Sequence, residues 1–182
     1  ISLAANTVHS VDAFGLRETH RRCNHDPLVL FFAKEALSQE QELRSQGITK
    51  TIPVDEETGH KLTYYIERYE ATEQPSAAIL PFIQDGMDTQ YLSNSHLAKL
   101  VRMTEQISQH KAFPLVSIHD EFRAHANNCN HVRMYYASIL AELSESQILN
   151  DIFTQIYGME VKYQKLSENL GDAIRKSSYA LS

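Results

Sequence analysis

The stretch Phe113-Pro114-Leu115-Val116-Ser117-Ile118-His119-Asp120-Glu121-Phe122 decides the fold. Its apolar run over 113–118 has the length and β-branched content of a short buried strand. The run breaks at the polar pair His119-Asp120, and a second short strand follows over 121–126. That pattern predicts a hairpin with the pair at its turn. A carboxylate held at a strand turn is rigid yet still reaches solvent. Hard divalent cations such as Mg²⁺ take oxygen ligands in near-octahedral geometry, so Asp120 is a candidate ligand. The plainer reading is a polar turn between strands. The dipeptide alone decides nothing, because His25-Asp26 is the same pair and there looks like a helix cap.

Downstream of the hairpin the pattern turns helical. Asn127 or Asn128 caps a helix in which Val132, Tyr135, Tyr136, Ile139, Leu140 and Leu143 face inward. Ile148, Leu149, Ile152, Phe153 and Ile156 form a further helix closed by Gly158, and a short helix covers 168–176. Upstream, Ser93 or Asn94 caps a helix reaching about position 110, with Leu97, Leu100, Val101, Thr104 and Ile107 as its stripe. Ile79-Leu80-Pro81-Phe82-Ile83 reads as buried but interrupted by its proline. Over 48–69, β-branched and aromatic residues flank the polar Asp55-Glu56-Glu57-Thr58-Gly59 and predict another hairpin. Asp26 followed by Pro27 starts a helix that stops at Gly47. Asp12 is placed to cap a helix running to Cys23, with Leu16, His20 and Cys23 on one face. The expected fold class is α+β, mostly helical, with one or two hairpins.

Composition bounds the function. The 182 residues suit one domain or two small units, and 42% hydrophobic content supports a real core. Seventeen basic side chains against 23 acidic ones give a net charge of −6, which argues against a stand-alone nucleic-acid coat. Cys23 and Cys129 are too few for a disulfide framework, so an intracellular chain is expected. No apolar run approaches a membrane span, and neither a signal nor a transit peptide is expected. The chain opens on Ile1 and reads as a fragment or a processed product.

The 113–122 stretch resembles motif C of the palm in the polymerase family that joins the single-subunit RNA polymerases, bacteriophage and mitochondrial, with DNA polymerase I. Asn6-Thr7-Val8-His9-Ser10-Val11-Asp12-Ala13-Phe14-Gly15-Leu16-Arg17 is similar to the His-Ser-x-Asp segment that precedes motif C in the RNA polymerase branch. Ala173-Ile174-Arg175-Lys176-Ser177-Ser178-Tyr179-Ala180-Leu181-Ser182 is similar to the aromatic tail that closes those enzymes. The three segments stand in family order.

The resemblance implies a palm-type β-hairpin carrying a catalytic Asp120, with His119 as its positioning partner. It implies a two-metal Mg²⁺ site whose second carboxylate, from motif A, is supplied from outside this chain. His9 would touch the minor groove of new base pairs, Ser10 lies beside it, and Arg17 is a further candidate nucleic-acid contact. Asp12 is as well explained by a helix cap as by a direct role. Tyr179 and the terminal carboxylate of Ser182 would fold back towards the pocket. The implied partners are the remaining polymerase chain or segment with motifs A and B, the DNA template, the RNA product and nucleoside triphosphates. The implied location is the cytoplasm of an infected bacterial host or the virion, ahead of a mitochondrion.

The sequence departs from that pattern in three ways. Glu121 after His-Asp is the DNA polymerase form, where the RNA branch carries Ser or Cys. The gap from His9 to His119 is far longer than the family's, although Ser95-His96-Leu97-Ala98-Lys99-Leu100 also resembles the start of the bridging helix. The expected organisation is therefore a palm segment over 1–24, an insertion over 25–93 and the motif C portion over 94–182. Neither a motif A aspartate nor a motif B helix is recognisable; Asp85-Gly86 and Asp88 lack the flanking residues. The chain alone should not polymerise. The alternatives are the palm portion of a DNA polymerase I-type enzyme and a non-catalytic helical interaction module.

Remaining clusters have plainer readings. His20-Arg21-Arg22-Cys23-Asn24-His25 lacks the paired CxxC of a zinc site. Arg17, Arg21 and Arg22 suit a solvated helix face better than phosphate contacts. Tyr64, Tyr65 and Tyr69 suit strand-face packing better than base stacking.

Overall fold

Helix caps and helical burial periods govern most of this chain. The computed structural model describes residues 2–48, 56–83, 92–118 and 121–177. In chain order the elements are α1 (Ser2–Cys23), α2 (Pro27–Ser45), α3 (Glu56–Thr72), a 3₁₀ helix (Ala77–Phe82) and α4 (Asn94–Ile107). Strands β1 (Val116–Ile118) and β2 (Glu121–Arg123) follow, then a 3₁₀ turn (Ala126–Asn128), α5 (Cys129–Glu145), α6 (Ile148–Tyr157) and α7 (Leu170–Lys176). The described part is mostly helical with one small antiparallel sheet, so the coarse α+β expectation holds. Among the described residues no helix is long and apolar enough to cross a membrane.

The chain divides into two units, Ile1–Asn24 with Phe113–Ser182, and His25–Ala112. The second unit takes in α4, so the stretch 94–182 is shared between the two.

In the first unit α1 packs along α5. Gly15, Thr19 and Cys23 are buried from α1, and Val132, Tyr135 and Ile139 from α5. Full burial of a side chain such as Ile139 contributes about 1.5–3 kcal/mol. Asp12 does not start α1 as a cap; it lies in the helix interior, ten positions after Ser2. The polar residues before it satisfy themselves within the helix. Thr7 donates to the Leu3 carbonyl at 2.9 Å and Ser10 to the Asn6 carbonyl at 2.8 Å. Such back-bonding lets Ser and Thr sit inside a helix rather than end it. α7 rests on the far end of α5, where Arg175 Nη2 donates to Glu145 Oε2 at 2.8 Å.

In the second unit Asp26 caps α2, as its position before Pro27 indicates: its Oδ1 accepts from the N–H groups of Leu28 (2.8 Å) and Val29 (3.2 Å). Past the other end of α2, Gly47 takes a left-handed φ of 71°. Leu30, Ala33 and Leu37 of α2 meet the buried stripe of α4, which includes Leu97, Leu100 and Ile107. Ser93 caps α4 by accepting from the His96 N–H.

The hairpin expected over 48–69 is not formed. Residues 49–55 lie outside the described ones, and 56–72 make one helix, α3. Glu56 and Glu57 stand in its first turn, where the helix dipole favours acids. Glu57 pairs with Lys61 at 2.6 Å, one turn on. The buried residues Leu62, Ile66 and Tyr69 fall at helical spacing, i, i+4, i+7. Tyr64, Tyr65 and Tyr69 are thus helical rather than on a strand face. Tyr69 is buried and stacks on His96 at 4.3 Å, while Tyr65 stacks on Phe82 at 5.3 Å.

Candidate functional site: the hairpin and the helix behind it

The hairpin is held from three sides within the first unit. At its approach, the Phe113 N–H donates to the Cys23 carbonyl at the end of α1, 2.9 Å away. On β1, Ser117 Oγ lies 3.2 Å from His20 Nε2, a contact across 97 positions of sequence. On β2, the Phe122 ring lies 5.3 Å from that of Tyr136 on α5. The strands pair Val116 with Arg123, Ser117 with Phe122 and Ile118 with Glu121. Ser117 and Phe122 therefore share the half-buried face, and Val116, Ile118, Glu121 and Arg123 share the exposed one.

The register leaves two positions between Ile118 and Glu121. They are His119 and Asp120, which lie outside the described residues. Tyr179 and Ser182 of the tail, and Asp85, Gly86 and Asp88, lie outside them too. The neighbouring carboxylate, Glu121, accepts from Arg123 Nε at 2.9 Å on the exposed face.

His9, Ser10 and Arg17 are all exposed on α1. His9 and His20 are eleven residues apart and so share one face of that helix, roughly 16 Å apart along its axis. Ser10 and Arg17, seven apart, share a neighbouring face. Thus the His-Ser segment and the two strands flanking His119-Asp120, distant in sequence, belong to one unit through α1.

The cluster His20–His25 takes a different form from either sequence reading. Arg22 is not on a solvated face; it is fully buried, as is Glu18 one turn before it. Its Nε donates to Glu18 Oε1 at 3.1 Å, and its Nη1 and Nη2 donate to Glu142 of α5 at 3.1 and 2.7 Å. Burial opposes the Arg22 charge, but Glu142 and Glu18 outweigh it and hold its pKa above the ordinary value. Arg21 also approaches Glu18, at 3.5 Å. Burial pushes the Cys23 thiol up to about 12, with Arg22 working the other way. Glu18 and Arg22, four apart, were legible as a helix pair; Glu142 was not, because only the packing of α5 on α1 supplies it.

Among the described residues no three His, Cys, Asp or Glu side chains come together as metal ligands. In the stretch 113–122 the Glu121 carboxylate is engaged by Arg123, and Asp120 lies outside the described residues.

No protein-family model matches the chain, and no curated protein matches it.

Proposed function

We propose that this chain is the C-terminal palm portion of a DNA-directed RNA polymerase of the single-subunit type, inactive until joined by the part that carries motifs A and B. The observation that carries the reading is the family order of three segments: the His-Ser segment at 6–17, the His119-Asp120 stretch and the aromatic tail from Ala173. The anchoring of β1 on α1 through His20 and Ser117 supports it, since it joins the first two segments in one unit.

In this proposal Asp120 holds Mg²⁺ together with an aspartate from the companion part, and His119 positions it. The cations, when bound, would lower the pKa of the primer 3′-hydroxyl and steady the departing pyrophosphate. His9 meets minor-groove acceptors, which are nearly independent of sequence and so check pair shape alone. Ser10 and Arg17 contribute on the neighbouring face of α1. The partners are the DNA template, the RNA product and nucleoside triphosphates. The place of action is an infected bacterial cytoplasm or a virion.

A second reading makes DNA the product, favoured by Glu121 after His119-Asp120. The experiment joins this chain to its companion part and measures primer extension. Asp120→Asn should abolish nucleotide addition and leave template binding within about two-fold, the charge-neutral swap removing one metal ligand and little else. Unchanged extension would remove Asp120 from the chemistry and leave the helical interaction module. Incorporation of ribonucleotides against deoxyribonucleotides separates the two polymerase readings.

A further inference from the structure

A groove of about 340 Å³ opens between α1, α5 and α6, lined by Val8, Val11 and Gly15 of α1, Leu140 and Leu143 of α5 and Ile148 of α6. Its walls are unusually apolar for a surface. Val8 is 67% exposed, and Leu149 of α6, which also lines the groove, is exposed as well. Apolar groove walls that remain open to solvent are a common mark of an interaction site.

One charged side chain stands in that wall. Asp12 lines the groove, is exposed, and makes no hydrogen bond or ion pair among the described residues. An apolar partner laid over the groove would strip water from this carboxylate and leave it uncompensated, which is costly. A partner that brings a cation to Asp12 removes that cost. A second copy of this chain is a poor candidate, because the chain carries a net charge of −6.

We propose that the groove receives an amphipathic helix of a partner protein, whose apolar row at i, i+4, i+7 fills the space between the three helices and whose Lys or Arg pairs with Asp12. Three helical walls with one open side suit a helix laid in a groove better than an enclosed small molecule. The groove shares α1 with the 6–17 segment of the polymerase reading but uses none of His9, Ser10 and Arg17, so its test can fail without that reading failing. Gly15 keeps that part of the wall low: a Cβ there would lie 3.9 Å from Ile139 Cγ2, an ordinary contact.

The test uses the whole chain and fluorescently labelled helical peptides with Leu at i, i+4 and i+7 and one flanking Lys, matched to peptides with Glu in its place. Anisotropy should show the Lys peptides binding at least about five-fold tighter than their Glu partners, the range of an ion pair at a partly desolvated site. Asp12→Lys should reverse that order. Gly15→Leu should abolish binding of both. Val8→Glu, at an exposed position where folding is not at stake, should weaken the apolar contact about ten-fold. Circular dichroism melts check that each variant is folded. Absence of binding by every peptide overturns the proposal, as does an unchanged preference in Asp12→Lys. Self-association in sedimentation that Val8→Glu removes would overturn it in favour of a second copy.

Discussion

Removing the Arg22 guanidinium should be among the most damaging single changes to the first unit. Arg22 and Glu18 are both fully buried, and the bidentate contact to Glu142 is the polar tie between α1 and α5. Arg22→Met fills similar space but leaves the buried Glu18 with only the longer 3.5 Å approach of the part-exposed Arg21 among the ion pairs described above, and Glu142 without its fork. Breaking a buried pair by deleting one partner costs about 3–5 kcal/mol. A domain has only about 5–15 kcal/mol of net stability. For a unit of this size each kcal/mol shifts the melting temperature by about 4–8 °C, so a fall of more than about 12 °C is expected. Replacing the whole set, Glu18→Met with Arg22→Met and Glu142→Leu, should recover much of that loss, because no buried charge then remains. The assay is urea and thermal unfolding followed by circular dichroism, with hydrogen exchange of α1 and α5 amides as the local readout. A loss below about 1 kcal/mol for Arg22→Met, or a triple variant no better than the single one, would refute the view that the buried charges depend on one another.

Three further outcomes follow from particular contacts. At neutral pH an alkylating reagent should modify Cys129 and spare Cys23, which is fully buried with its thiol pushed up to about 12; urea should expose both to mass-spectrometric detection. Because the folded thiol pKa lies above its ordinary 9.0, the neutral thiol's contribution is intact below about pH 9 and is lost as pH rises towards 12, so Cys23→Ala should flatten the alkaline limb of the stability curve. Asp26→Ala should destabilise the second unit by about 1 kcal/mol in urea titrations, through loss of the cap on Leu28 and Val29; no change would mean that Pro27 alone sets the start of α2. Gly171→Ala should loosen α7 from α5, since its new Cβ would collide with the Glu145 carboxylate and displace the partner of Arg175; faster amide exchange confined to α7 is the expected sign.

Much of the helical framework could be read from local chemistry. Asp26-Pro27, Gly47, Ser93 and Gly158 mark helix ends, and each does so by a rule that needs no tertiary partner: an oxygen for orphan N–H groups, or freedom for a left-handed φ. The two strands flanking His119-Asp120 were legible for a related reason, as a short β-branched run broken by two polar residues, but they are shorter than expected, 116–118 and 121–123, and Val116 and Ile118 are exposed rather than buried. The stretch 48–69 misled because Leu62, Tyr64 and Ile66 alternate like a strand while Leu62, Ile66 and Tyr69 repeat like a helix. Local pattern alone cannot choose between those periods. The packing of Tyr69 against His96 and the acid-rich first turn settled it for the helix.

The chain's own residues thus determined where α2 and α4 begin, where α2 and α6 end, and that His119-Asp120 falls between two short strands. Tertiary structure alone decided that α1 carries both the His-Ser segment and the support of β1, that Arg22 is a buried tie rather than a surface cation, and that Asp12 stands in an apolar groove. Caps and turns act through bonds within a few residues and leave their mark in local sequence. Burial depends on which distant helix arrives to exclude water, as Glu142 on α5 does for Arg22, and no local pattern encodes that arrival.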